Sequence, residues 1–294
     1  MSPWARAVTR GRFAAFGSAV SFGAVAPLAG LAYAGGASPG AVVLARLLFG
    51  TVAGAVVVAV LNRPWAIPRS EWRATAFVAV AWVAVTVTYM ASFYYIPVSL
   101  AVLIFFTFPV QIALVAPLVD RRRPEPVTLA AALLAFAGLV LALGPDLGGL
   151  DWRGCGLAFV AALAAMSTFI LSRRLVVEQD MFAFSFHLHL VCVLAVMAAM
   201  SVTGLPAAPL RLEAWTGLLG VGVFYVSAVI LQFMAIRLAG PARASIVFNA
   251  EPIITMVGAT LLLGERLGPW QLAGASLVIV AVLVSTRADS AAGE

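Results

Sequence analysis

Uninterrupted apolar runs, each about the 20 residues an α-helix needs to cross ~30 Å of hydrocarbon, constrain this chain more than any other feature. Ten can be marked in the 294 residues: 13–34, 40–61, 74–95, 98–119, 127–144, 154–172, 182–203, 214–236, 243–263 and 269–286. Backbone amides and carbonyls have no water to bond in lipid, so each run is read as a helix. Proline marks the gaps, with Pro39, Pro64, Pro68, Pro97, Pro124, Pro126, Pro145, Pro206, Pro209, Pro241 and Pro269 at or near them. Only 10% of the residues are charged. A soluble domain carries roughly 25% because it has a wet surface to cover, so a soluble α/β enzyme is excluded.

The charges that exist are placed asymmetrically. All 18 basic residues are Arg. With both termini in the cytoplasm, 14 of them fall in inner segments and only Arg153, Arg211 and Arg266 in outer ones, while Arg46 lies inside a span. Arginine retained on the cytoplasmic side sets the orientation. The net charge of +6 thus belongs to the membrane and not to nucleic acid. Arg6, Arg10 and Arg12 before an apolar run ending in AYAGGA imitate a secretory signal. The run is long for a signal and the repeat below requires it, so it is read as a retained first span. Cys155 and Cys192 lie in apolar stretches and read as packing residues.

The chain also repeats. SLAVLIFFTFPVQIALVAPLV from Ser99 aligns without gaps, 143 residues on, with ARASIVFNAEPIITMVGATLL from Ala242. Pro109 then falls on Pro252, and Pro126 on Pro269. Five spans per half, an odd number, force opposite orientations. The expected fold is an all-α membrane protein of ten transmembrane helices as a 5+5 inverted repeat, both termini cytoplasmic, with halves 1–146 and 147–294. Inverted repeats are common in secondary transporters, whose substrate sites lie near the midplane between the halves.

The segment from Asn249 to Val284 resembles the end of an EamA-type repeat of the drug/metabolite transporter superfamily. The matching positions are Glu251, Pro252, Gly264, Glu265, Arg266, Gln271 and Gly274. The first half keeps Pro109 and Gly138 but has Asp120-Arg-Arg-Arg in place of the Gly-Glu-Arg turn. In length, arrangement and aromatic richness the chain is most similar to the YddG-type exporters of aromatic and other amino acids. The resemblance implies that spans 1–4 and 6–9 enclose a path and that spans 5 and 10 are peripheral. It also implies export of amino acids or similar amphipathic metabolites across a bacterial-type inner membrane, with a small-molecule substrate and no cofactor.

Polar groups in hydrocarbon are costly and are therefore functional candidates. Glu251 is the one acid inside a span, about eight residues or ~12 Å in. It meets a substrate ammonium or carries a proton; alternatively it pairs with an Arg or caps backbone freed by Pro252. Asn249 lies two residues earlier. Arg46 either holds a substrate carboxylate, pairs with Glu251, or snorkels to the interface. Its repeat equivalent is His189, which reads as an interhelical hydrogen bonder or a proton relay. His187 faces nearly the opposite way, so the two form no metal site. Tyr89 and Gln232 are repeat equivalents, as are Phe105 and Phe248. With Phe106 and Gln111 they suggest an aromatic-walled cavity for a solute with an apolar side chain, against the plain reading that Phe faces lipid. Pro109 and Pro252 are the expected hinges of spans four and nine. Gly50 and Gly54 form a G-x-x-x-G pair for close helix approach. The alternatives are an exporter of drugs or other small metabolites, or a membrane-embedded enzyme. The enzyme would need a polar catalytic cluster, and no such constellation or metal-ligand spacing is read in the sequence. Oligomeric state is not legible.

Overall fold

The computed structural model describes residues 3–144, 150–204, 211–263 and 267–291, and these are helical almost throughout. The helices are α1 (Pro3–Ala34), α2 (Pro39–Val60), α3 (Trp72–Ser92), α4 (Val98–Phe105), α5 (Phe108–Val119) and α6 (Pro126–Leu143) in the first half. The second half holds α7 (Trp152–Glu178), α8 (Met181–Thr203), α9 (Leu212–Ala239), α10 (Pro241–Phe248), α11 (Ala250–Leu263) and α12 (Pro269–Ala291). Eight helices, with α4 and α5 counted as one, are long and apolar enough to cross a membrane; Pro269–Ser285 of α12 is apolar but shorter.

Local chemistry sets the helix starts. Ser38 accepts from the Ala41 N–H at 3.2 Å at the start of α2, and Asp180 accepts from Phe182 and Ala183 at the start of α8. Gln271 Oε1 accepts from the Gly268 N–H at 2.7 Å at the start of α12, which gives the family-motif glutamine a capping role. Gly264, Glu265 and Arg266 of that motif, and Pro145, Pro206 and Pro209, lie outside the described residues.

Helix packing follows a pseudo-two-fold plan. The most extensive pairing is α1 with α9, and its repeat counterpart is α7 with α3. Two further pairings, α2 with α8 and α6 with α12, each join a helix to its own repeat equivalent. Beyond pairing with each other, α6 and α12 touch mainly the short helices α4, α5, α10 and α11, so they lie at the periphery.

Glycine allows the closest approaches. A Cβ on Gly217 of α9 would come within 2.8 Å of the Ala32 Cα and the Leu28 carbonyl oxygen on α1, which is backbone with nowhere to move. Gly138 and Gly274 face each other across α6 and α12 in the same way, a Cβ on Gly138 lying 2.8 Å from the Gly274 carbonyl oxygen. Gly54 packs against Phe186 of α8, where a Cβ would lie 3.0 Å from its Cα, and Gly50 lies against the His189 ring. The G-x-x-x-G pair therefore faces α8.

Arginine gathers at one end of the bundle and ties the halves together there. Arg63 pairs with Asp180 at 3.7 Å, Arg174 with Glu71 at 3.0 Å, Arg243 with Glu125 at 3.8 Å, and Arg173 with Asp120. Each pair joins a residue of one half to a residue of the other. Arg153, at the opposite end of α7, lies over its neighbour Trp152 with the guanidinium carbon 5.8 Å from the ring centre.

Candidate functional site

The segments read above as spans four and nine are each two helices, broken at the same place in the repeat. Phe106 ends α4 and Asn249 ends α10, and these positions are 143 residues apart. Each break comes three residues before a proline, Pro109 or Pro252. A proline has no N–H to give the carbonyl four residues back and its ring crowds that carbonyl, so the ladder is interrupted one turn upstream.

The two breaks are closed differently. Asn249, fully buried, donates from Nδ2 to the carbonyls of Ile246 at 3.2 Å and Ser245 at 3.4 Å. Its Oδ1 has no hydrogen-bond partner. Thr107 Oγ1 donates to the Ile104 carbonyl at 2.7 Å and accepts from Gln111 Nε2 at 3.0 Å. Both Asn249 bonds go back into its own helix, α10, and not to the Phe248 carbonyl that Pro252 leaves without a donor.

Aromatic rings run continuously from one break to the other. Tyr89 lies 4.6 Å from Phe105, which meets Phe108 at 5.3 Å; Phe169 follows at 5.4 Å and Phe248 at 5.3 Å. Phe22 of α1 then joins Phe248, at 6.2 Å, to Tyr225, at 6.1 Å. Phe106 packs between Phe105 and Phe108 and is only 3% exposed. These rings belong to the interior and not to the lipid face.

At the Tyr225 end lies a polar cluster built from two pairs of repeat equivalents, Arg46 with His189 and Trp82 with Tyr225. Trp82 Nε1 donates to the Tyr225 hydroxyl at 3.0 Å, and that hydroxyl is 3.2 Å from His189 Nε2. His189 Nδ1 is 2.7 Å from the Ser185 carbonyl. Indole is a donor only and a carbonyl an acceptor only, so one proton arrangement satisfies every group. Trp82 gives to Tyr225, Tyr225 gives to His189 Nε2, and a neutral His189 gives from Nδ1 to Ser185. His189 thereby bonds from α8 to Tyr225 on α9.

Arg46 borders this cluster. Its Nη2 donates to Thr86 Oγ1 at 3.1 Å and its guanidinium carbon lies 5.6 Å from the centre of the Tyr225 ring. Its Nε is buried with no hydrogen-bond partner. Glu251 is half-buried, and Thr255, one turn further on, donates to the Gly23 carbonyl of α1 at 3.2 Å. Among the described residues no ion pair joins Arg46 to Glu251, or Glu251 to any other cation. Gln232 is buried on α9, two turns beyond Tyr225 and so on the same face.

The candidates thus divide into two groups. Arg46 and His189 meet at Tyr225, whereas Tyr89, Phe106, Gln111 and Asn249 lie at the breaks, with Glu251 two residues past Asn249. Trp82, Thr86, Tyr225 and Phe22 were not singled out from the sequence. The 143-residue offset already paired Trp82 with Tyr225, a signal for that pair but not for Thr86 or Phe22.

Among solved structures, one described only as "Crystal structure of protein" is similar in fold, with a TM-score of 0.82 over 95% of this chain and 97% of that one at 15% identity. No curated protein matches the chain. The sequence profile of the EamA-like transporter family matches twice, over residues 9–144 and 152–287. The two matches together span most of the sequence, one in each half: the chain belongs to the EamA-like transporter family.

Proposed function

We propose that this transporter exports amino acids, aromatic and other amphipathic ones, by alternating access through a path between its halves. In this reading the chain has ten spans, α10–α11 forming the ninth and α12 the tenth, with both termini in the cytoplasm of a bacterial-type inner membrane. The observation that carries it is the environment of Arg46. A guanidinium inside a membrane span, held by Thr86 and Tyr225 and with its Nε lacking a partner, suits a planar anion. A carboxylate accepting from it would supply the missing bond. Glu251 offers the opposite charge for an ammonium group, and the aromatic run from Tyr89 to Phe22 offers apolar walls for a side chain. Pro109 and Pro252, each just beyond a break, act as the hinges.

The test is transport by the purified chain in proteoliposomes against a panel of amino acids, drugs and sugars, with and without a pH gradient. Amino acids are expected to be carried and competed by one another. Transport of drugs or sugars alone would sink the reading. Should Glu251 carry the coupled proton instead of meeting the ammonium, Glu251→Gln would abolish the pH dependence and leave substrate binding measurable. An ammonium partner predicts loss of binding in the same variant.

A further inference from the structure

A hollow lined by none of the aromatic run opens at the Arg-rich end between the halves. It has a volume of about 360 Å³, and Arg122, Arg123, Arg173, Arg237 and Arg243 converge on it. Two carboxylates share its wall, Asp120 paired with Arg173 and Glu125 paired with Arg243. Arg122, Arg123 and Arg237 form no ion pair with a described carboxylate. Three guanidinium groups are therefore left facing one space. The deeper wall is apolar, with Val8, Ala116 and Leu238.

The local backbone is committed to this arrangement. Arg121, just past the end of α5, has φ of 56°, the left-handed region where glycine is usual. The N–H groups of Arg121 and Arg122 bond back to the carbonyls of Leu118 at 3.0 Å and Pro117 at 2.8 Å, closing the helix end. This is the common left-handed helix cap, and Arg122 and Arg123 follow it on the wall of the hollow.

Planar guanidinium forks match phosphate oxygens in geometry as well as charge, and a basic hollow with an apolar wall suits an anionic amphiphile. We propose that this hollow is a binding site for a phosphate-bearing anion, held by Arg122, Arg123 and Arg237. The phosphate comes from an anionic phospholipid headgroup or from a soluble phosphate ester. Because the wall draws on both halves, occupancy favours the arrangement in which those halves are apposed at this end.

The experiment measures thermal unfolding of the full chain in a zwitterionic background. Phosphatidylglycerol, phosphatidylcholine, inorganic phosphate and glycerol phosphate are titrated separately. Wild type is compared with Arg122→Gln/Arg123→Gln/Arg237→Gln. A charge-matched control, Arg69→Gln/Arg73→Gln/Arg153→Gln, lies outside the hollow. Saturable stabilisation by phosphatidylglycerol in wild type and control, at least about tenfold weaker in the triple variant, upholds the site and assigns it to lipid. The same pattern with phosphate or glycerol phosphate upholds it and assigns it to a soluble ligand. Equal effects of phosphatidylglycerol and phosphatidylcholine, equal binding by the triple variant, or no saturable response overturns it. Single Arg237→Gln, at an exposed position, should show an intermediate loss and guards against a folding defect in the triple variant.

Discussion

The two halves present one backbone plan with different chemistry at equivalent positions. Where the first half has Arg46, Trp82, Tyr89, Phe106 and Phe108, the second has His189, Tyr225, Gln232, Asn249 and Glu251. The first set is aromatic and cationic. The second is hydrogen-bonding and acidic. Duplication sets where the helices break and which faces meet, and divergence at those faces gives the interior a direction. An interior lined identically from both sides would have no preferred orientation for an asymmetric solute.

The contrast can be broken at matched positions. Phe106→Ala should have the largest effect, about 3–5 kcal/mol of stability, because a packed aromatic ring is lost from the core. Thermal melting of the purified chain reads it, and a loss no greater than for Asn249→Ala would erase the distinction between the breaks. Arg46→Gln should weaken apparent substrate affinity roughly 10- to 100-fold through one lost charge-assisted contact, with little change in melting. A melting defect with unchanged affinity would make Arg46 a structural residue instead. Tyr225→Phe should cost about 1–2 kcal/mol, since Trp82 loses its acceptor and His189 its donor. Combining it with Trp82→Phe should cost less than the sum, and strict additivity would dissolve the proposed chain of bonds. Asn249→Ala should be the mildest, below about 1 kcal/mol, since its side chain bonds only carbonyls of its own helix.

Much of the fold was legible because the bilayer imposes one simple rule on length and polarity. The spans, the repeat offset and the peripheral pair α6 and α12 all follow from it or from the family resemblance. The breaks at Phe106 and Asn249 were only half legible: Pro109 and Pro252 announced them, but nothing local says that Asn249 bonds back into α10 at one and Thr107 bonds back into α4 and to Gln111 at the other. Trp82 and Tyr225 escaped because aromatic residues are abundant in membrane helices and carry no periodic signal. Their partnership exists only once α3 and α9 lie side by side. The asymmetry of Arg was legible as charge, yet the convergence of Arg122, Arg123 and Arg237 on one hollow exists only once the end of α5 lies beside α9.

The close seam between α1 and α9 limits how this sequence can drift. Where backbone lies against backbone, as Gly217 does against Ala32, a side chain of any size is forbidden unless the partner helix retreats. A relative with leucine at that position must have moved its first helix outward, and with it Phe22, which joins the rings of Phe248 and Tyr225. One methyl group at the seam thus reaches the interior by displacing a whole helix. Variation at Gly217 would then report a reshaped interior more directly than variation among the lining residues themselves.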